Sequence, residues 1–282
     1  MLAYIVGLIA LIIGTLTDID HREVPDWINY SLIAAGIILS ILLSTARATI
    51  QPLIASILGL VVGYLIGALM YYTGQWGGGD AKMIMGLGAL LGIPLSILDL
   101  TIPFFFYFII ASIFVGAAYG ITWLIVLFII HRKTYWPLIR SQLGARRTRT
   151  IRLTLGLLLL VYAGITLMYT NVWNIIVFII LFTVYLTVIL SVIVRVIEQH
   201  AFLKKKEVHE LVPGDWLAED VSKGKKVLLN ANNTGISEEE IALLKKNNVS
   251  TVLVKEGIPF VPSFLIAYIL AYVLYIQELS LF

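Results

Sequence analysis

Two acidic residues lie where apolar segments of the chain end or begin. Asp18 follows the apolar residues that open the sequence, and Asp80 follows three glycines, Gly77, Gly78 and Gly79. Carboxylates beside membrane spans are costly and usually functional. Two of them at one site could hydrolyse a peptide bond, because one takes a proton from water while the other gives a proton to the carbonyl oxygen. The pattern predicts an aspartyl protease that works at a bilayer surface.

The glycines before Asp80 favour a turn that holds this carboxylate at a helix start. Glycine tolerates positive φ and lets another backbone come close, which leaves room for an extended substrate. An acid in the first helical turn is also favoured by the helix dipole. An ordinary capped turn explains the same residues equally well. Lys82 is a candidate for an electrostatic or substrate contact, and its alternative is a lysine that snorkels at the end of a span.

The charged loop after the first apolar segment contains three aspartates, Asp18, Asp20 and Asp26. Asp18 lies closest to the apolar residues and is the candidate for catalysis, whereas the other two are expected to be solvated or to cap a helix. Two carboxyls that share a site repel each other as anions, so the pair keeps one proton and titrates as a unit. That Asp18 and Asp80 meet is a hypothesis at this point.

The composition is that of a polytopic membrane protein. The chain has 282 residues, of which 60% are hydrophobic and 13% are charged, and its mean hydropathy is +0.95. Soluble domains carry about 25% charged residues. Cysteine is absent, which excludes a disulfide, a thiolate zinc site and a cysteine nucleophile. The four histidines are scattered and match no metal motif, so we expect neither metal nor cofactor. The net charge of +3 is modest and its placement indicates topology and contact with anionic lipid, so we expect no nucleic acid as a partner.

The apolar segments predict an all-α membrane protein with about eight transmembrane helices and a small cytoplasmic α+β segment. The predicted spans are 2–17, 27–45, 50–72, 81–98, 102–130, 153–170, 172–195 and 258–277. The first is expected to be a retained helix and not a signal peptide, because no basic region precedes it. Gly59, Gly63 and Gly67 recur every four residues on the third span, which indicates close helix packing.

Basic residues predict the orientation of the spans. The segment 131–152 contains eight His, Lys or Arg residues and no acid, so it is expected in the cytoplasm. Counting spans from there puts both Asp18 and Asp80 on the cytoplasmic side of the plasma membrane. The predicted organisation is a catalytic membrane core (1–130), a basic loop (131–152), an additional helix pair (153–195), a small cytoplasmic domain (196–257) and a final span (258–282).

Local patterns predict some order within the polar segment 199–256. Pro213-Gly214-Asp215 indicates a turn. Ser237, followed by three glutamates, resembles a capping box that opens a short helix to about Asn247. Residues 250–254 have the composition of a β-strand. About 55 residues form only a small core, so the segment is expected to lean on the membrane face or on the basic loop.

At Asp18 with the following 22–26, and at 77–82, the chain resembles the type IV prepilin peptidases, which are membrane aspartyl proteases of the Gly-x-Gly-Asp type. It looks closest to the archaeal preflagellin and prepilin peptidases, and the resemblance covers roughly residues 1–130. It implies that Asp18 and Asp80 are the catalytic aspartates. It also implies that the substrate is a pilin or archaellin precursor, whose class III signal peptide is cleaved at the cytoplasmic membrane surface.

Three other interpretations remain. A presenilin-like protease shares the Gly-x-Gly-Asp turn, but its Tyr-Asp pair and Pro-Ala-Leu motif do not occur, since Thr17 precedes Asp18. In an ion-coupled transporter Asp18 and Asp80 would bind cations, yet the chain shows no repeat and both acids lie at span ends. A third interpretation is a membrane anchor without catalysis for the segment 199–256.

Overall fold

The computed structural model of the chain describes residues 1–95, 102–169, 171–223, 226–231, 235–255 and 257–279. Within these ranges most residues are helical. The helices are α1 (Leu2–His21), α2 (Asp26–Ala46), α3 (Gln51–Tyr72), α4 (Gly78–Leu91), α5 (Phe104–Ile130), α6 (Arg132–Gly144), α7 (Arg146–Met168), α8 (Val172–Ala201), α9 (Glu238–Lys246) and α10 (Val261–Leu279). The strands are β1 (Leu203–Glu207), β2 (Trp216–Leu217), β3 (Val221–Lys223), β4 (Lys226–Leu229) and β5 (Thr251–Lys255).

Six helices in the described part of the chain are long and apolar enough to cross a membrane, namely α1, α2, α3, α5, α7 and α8. Two shorter apolar helices, α4 and α10, correspond to the other two predicted spans. The fold is therefore that of a mostly helical, multi-pass membrane protein with a small sheet segment. The number of long helices is smaller than the eight spans that the sequence predicts.

Helix α4 is shorter than the span predicted over 81–98. It has 14 residues and ends at Leu91, because Gly92 takes a positive φ of 67° that is incompatible with the helix, and Pro94 follows. Its length is about 21 Å, less than the roughly 30 Å of a bilayer core. Eight of its residues are buried, from Ala81 to Leu90. It is therefore an internal helix, enclosed mainly by α2 and α3.

The glycine stripe of α3 packs directly against the backbone of α4, which confirms the packing role that its spacing predicts. A Cβ added at Gly63 would lie 2.8 Å from the carbonyl oxygen of Ile84, and one added at Gly67 would lie 2.7 Å from that of Ala81. One added at Gly59 would overlap the carbonyl oxygen of Gly88. The two helices therefore approach as closely as the missing side chains allow.

The chain divides into two compact units. The first contains Met1–Ile121 and Lys205–Phe282, and the second contains Thr122–Lys204. The core of the first unit lies among α1, α2, α4, α5 and α10, and its largest fully buried side chains include Phe105, Phe108 and Phe264. The first unit therefore carries both predicted catalytic aspartates.

The small polar segment of the first unit has the turn, helix and strand that the sequence predicts. Ser237 accepts a hydrogen bond from the Glu240 amide at 3.2 Å, and the Ser237 amide donates to the Glu240 carboxylate at 2.8 Å, so the capping box of α9 is present. Strand β5 lies between β1 and β2 and pairs antiparallel with β2, while β3 and β4 form a separate antiparallel pair. Trp216 packs edge-on against Tyr71 at the end of α3, at 6.3 Å between ring centroids.

In the second unit, most of the segment expected to be a basic loop is helical. Residues 132–144 form α6, and α7 already begins at Arg146. Tyr135 and Ile139, one turn apart on α6, are buried against Val196 and Ile197 of α8. The prediction of a loop was wrong here because the dense positive charge obscured this pair of apolar residues at helical spacing.

Candidate active site

Helices α1 and α4 run antiparallel, and their contacts set the register between them. A Cβ added at Gly7 would lie 3.3 Å from Leu87, and one added at Gly14 would lie 2.7 Å from Met83. From Gly7 to Gly14, seven residues further along α1, the contacted residue on α4 therefore shifts back by about one turn, from Leu87 to Met83. Both glycines give close approach between the two helices.

This register brings the two candidate carboxylates to the same end of the helix pair. Asp18 lies one turn after Gly14 on α1, and Asp80 lies one turn before Met83 on α4. Two acids that are 62 positions apart in the sequence thus face one region of the first unit.

The carboxylate of Asp18 is buried and held by the start of α10. Asp18 is 5% exposed, and its Oδ2 accepts a hydrogen bond from the backbone N–H of Val261 at 2.9 Å. Val261 is the first residue of α10, so its N–H has no partner within that helix. The N-terminus of a helix favours a negative charge. Asp18 therefore caps α10 although 243 positions separate the two residues.

Asp80 closes the turn that precedes α4. It is partly buried, and its Oδ2 accepts a hydrogen bond from the backbone N–H of Gly77 at 3.0 Å. Trp76, just before the glycines, is 6% exposed and packs edge-on against Phe264 of α10, at 5.0 Å between ring centroids. The ring of Phe260 lies 6.2 Å from that of Trp76. The turn is thus anchored on one side by a hydrogen bond and on the other by an aromatic cluster.

Of the three glycines, Gly79 is the one at which another backbone comes close. A Cβ added there would lie 3.2 Å from the Cβ and 3.3 Å from the backbone nitrogen of Val24, in the loop between α1 and α2. One added at Gly78 would meet only the ring of Tyr71, at 3.8 Å. Gly79 therefore lets the turn that bears Asp80 lie against the loop that follows Asp18.

Asn29 is a buried polar residue at this site that the sequence did not single out. Asn29 is fully buried on α2, and its Nδ2 donates a long hydrogen bond, of 3.5 Å, to the carbonyl oxygen of Gly79. Its Oδ1 has no partner among the described residues. An amide inside an otherwise apolar helical face was the signal that could have identified it.

Lys82 forms an ion pair within the protein. Its ammonium lies 2.6 Å from a carboxylate oxygen of Asp26 and 5.7 Å from the centre of the Tyr30 ring. The side chains of Lys82 and Asp26 are 37% and 56% exposed, so this pair adds little to stability. The structure therefore links the start of α4 to the start of α2 through Lys82.

The loop between α1 and α2 also faces the polar segment of the first unit. The guanidinium of Arg22 donates a hydrogen bond to the carbonyl oxygen of Gly257 at 2.7 Å. Burial raises the pKa of the Glu23 carboxyl, and Asp215 raises it further while Lys206 opposes the rise. Lys206 and Asp215 form an ion pair at 3.1 Å. The small segment therefore lies beside the loop that follows Asp18.

The contribution of α10 is what sequence reasoning missed. The final span was expected only as a membrane helix, whereas Val261 binds Asp18 and Phe264 covers the turn before Asp80. The prolines at 259 and 262, which flank the start of α10, were the available signal. In the described ranges, no group of three or more His, Asp or Glu side chains could hold a metal ion.

These features place two acidic side chains, Asp18 and Asp80, at one end of a helical bundle. Comparison with known proteins shows which family this region resembles. Residues 5–121 match the model of the type IV leader peptidase family. The preflagellin peptidases of Methanococcus maripaludis and Methanococcus voltae are each 40% identical to this chain over 91 residues. That of Methanocaldococcus jannaschii is 33% identical over the same length.

Residues 5–121 are therefore similar to the type IV leader peptidase family, and 91 residues of the chain are similar to the preflagellin peptidases. The alignments cover 32% of this chain and 38–39% of the length of the relatives. The match lies within the helices that carry both aspartates, which span α1 to α5.

Proposed function

We propose that this chain is an aspartyl endopeptidase that removes the leader from archaellin or type IV pilin-like precursors at the cytoplasmic face of the plasma membrane. The observation that carries the proposal is the register of α1 and α4, which brings Asp18 and Asp80 to one end of the helix pair inside the family-matching region. The names of the relatives supply the substrate class.

In this mechanism one carboxylate of the pair is ionised and takes a proton from the attacking water. The other is protonated and gives its proton to the carbonyl oxygen of the scissile bond. The glycine turn of 77–79 leaves space for an extended substrate beside Asp80. The hydrogen bonds from the Val261 and Gly77 N–H groups hold the two side chains.

The topology that goes with this function has eight spans, α1 to α5, α7, α8 and α10. Helix α4, although short, is enclosed by its neighbours, and α10 is apolar from 261 to 277. The basic residues at 132–152 favour a cytoplasmic position for α6 and the start of α7. The polar domain at 196–257 and the active site then share that side, and the bilayer is a second partner.

The proposal is tested by incubating the purified full-length protein with an archaellin precursor and measuring the mass of the new N-terminus. We expect a single cut just before the hydrophobic helix of the precursor. A pilin precursor in a parallel reaction distinguishes the two substrate classes. If neither precursor is cut, while the protein in liposomes takes up a cation by counterflow, the carboxylates belong to a transporter.

Replacing Gly79 with Ala is expected to lower kcat/KM for precursor cleavage about tenfold, because the added Cβ pushes the Asp80 turn away from Val24. Gly78→Ala is the matched control. Its Cβ would make only an ordinary van der Waals contact with Tyr71, so the activity should stay within about twofold of the wild type. Equal effects of the two substitutions would show that the close approach at Gly79 does not position the site.

Replacing Val261 with Pro removes the N–H that binds Asp18, although proline suits the first position of a helix. Val261→Ala keeps the N–H and loses the same buried side chain. We therefore expect cleavage by the Pro variant to be about tenfold slower than cleavage by the Ala variant, measured under single-turnover conditions. Equal rates would mean that this hydrogen bond is not needed for catalysis.

A further inference from the structure

The second unit has a cavity lined by three arginines. It has a volume of about 430 Å³ and lies between α6 and the start of α7. Its lining residues are Trp136, Ile139, Arg140, Leu143, Gly144, Arg149 and Arg152. No acidic side chain lines it.

The three guanidinium groups have no ion-pair partner among the residues that the structure describes. Like charges gathered around one cavity repel each other, and a bound anion relieves that repulsion. Guanidinium groups bind phosphate oxygens with two parallel hydrogen bonds. The cavity therefore has the charge and the donors for a phosphate group.

On one side, apolar residues further along α7 continue the lining of the cavity. Leu153 and Leu157 lie one and two turns beyond Arg149 on the same face of that helix, and Leu160 continues it. These leucines are 58%, 64% and 73% exposed. Helix α7 is one of the six candidate membrane spans, so this face meets lipid. A cationic cavity that continues into an exposed leucine face matches a molecule with a phosphate head and acyl or alkyl chains.

We propose that this cavity binds the phosphate of an anionic membrane lipid, with Arg140, Arg149 and Arg152 around the phosphate. The hydrocarbon chains of the lipid lie along the leucine face of α7. Trp136, whose residue is 57% exposed, lies at the level of the head group, where tryptophan is favoured. The site is independent of the peptidase function, since it lies wholly in the second unit.

The test is a titration of the full-length protein with phosphatidylglycerol in detergent micelles, followed by native mass spectrometry. The variant Arg149→Gln/Arg152→Gln should bind this lipid at least about tenfold more weakly than the wild type. The matched control is Arg146→Gln/Arg147→Gln, which removes the same charge from the first turn of α7 outside the cavity. Its affinity should change less than about twofold.

Equal weakening by the two variants would overturn the proposal, because the attraction would then come from the overall charge. Equal binding of phosphatidylcholine would overturn it as well. Displacement of the lipid by an equal concentration of inorganic phosphate would assign the site to free phosphate instead. If the Gln pair does not fold, Arg149→Lys/Arg152→Lys keeps the charge but loses the bidentate fork, and its affinity should fall about threefold. An unchanged affinity in that variant would contradict the proposed geometry.

Discussion

Replacing Asp80 with Asn will reduce precursor cleavage by at least about a thousandfold, because the variant cannot exchange the proton on which the mechanism depends. The fold should remain, since the amide oxygen of the substituted side chain can still accept the hydrogen bond from the Gly77 N–H. The measurement is the single-turnover rate of cleavage of an archaellin precursor by purified protein, followed by mass spectrometry.

Asp20→Asn is the matched control for this experiment. Asp20 lies on α1 two residues beyond Asp18, and its side chain is 76% exposed and paired with His21. Its replacement removes the same charge near the same loop, and the rate should stay within about twofold of the wild type. A large loss in both variants would indicate that the loop needs its overall charge and that Asp80 has no special role.

A second large effect is expected for Gly59→Ala, which should destabilise the protein by about 3 kcal/mol or more. The added Cβ overlaps the carbonyl oxygen of Gly88. Neither atom can rotate away, because the Cβ is fixed by the backbone of α3 and the oxygen belongs to the backbone of α4. Helices α3 and α4 must therefore separate, which also moves Asp80. The free energy of unfolding, from denaturant titration in micelles, measures the effect.

Gly120→Ala is the control for the helical glycine itself. Nothing lies within 4 Å of the position that its Cβ would take on α5. Since alanine favours a helix over glycine by about 1 kcal/mol, this variant should be neutral or slightly more stable. If Gly59→Ala behaves in the same way as Gly120→Ala, the α3–α4 packing is not as close as described.

The sequence predicted those parts of the structure in which a local pattern determines the outcome. The capping box at Ser237 and the strand at β5 depend on neighbouring residues, and both are present as predicted. The glycine stripe from Gly59 to Gly67 predicted close helix packing, because a spacing of four puts small residues on one face. The length of the apolar segments predicted all six long helices.

The rest depended on contacts between distant segments. The end of α4 at Leu91 was missed because the apolar run continues beyond it, whereas the positive φ of Gly92 ends the helix. The hydrogen bond from Val261 to Asp18 joins opposite ends of the chain. The sequence did suggest that Asp18 and Asp80 share one side of the membrane, but the register that brings them together comes from Gly7 and Gly14.

The most direct test of the account is a double-mutant cycle on Asp18 and Asp80, using single-turnover cleavage of an archaellin precursor. If the two carboxylates share one proton and act as a unit, Asp18→Asn, Asp80→Asn and the double variant will all be slowed by the same large factor. If the two single effects instead multiply in the double variant, or if either single variant keeps its activity, the carboxylates do not form a catalytic pair.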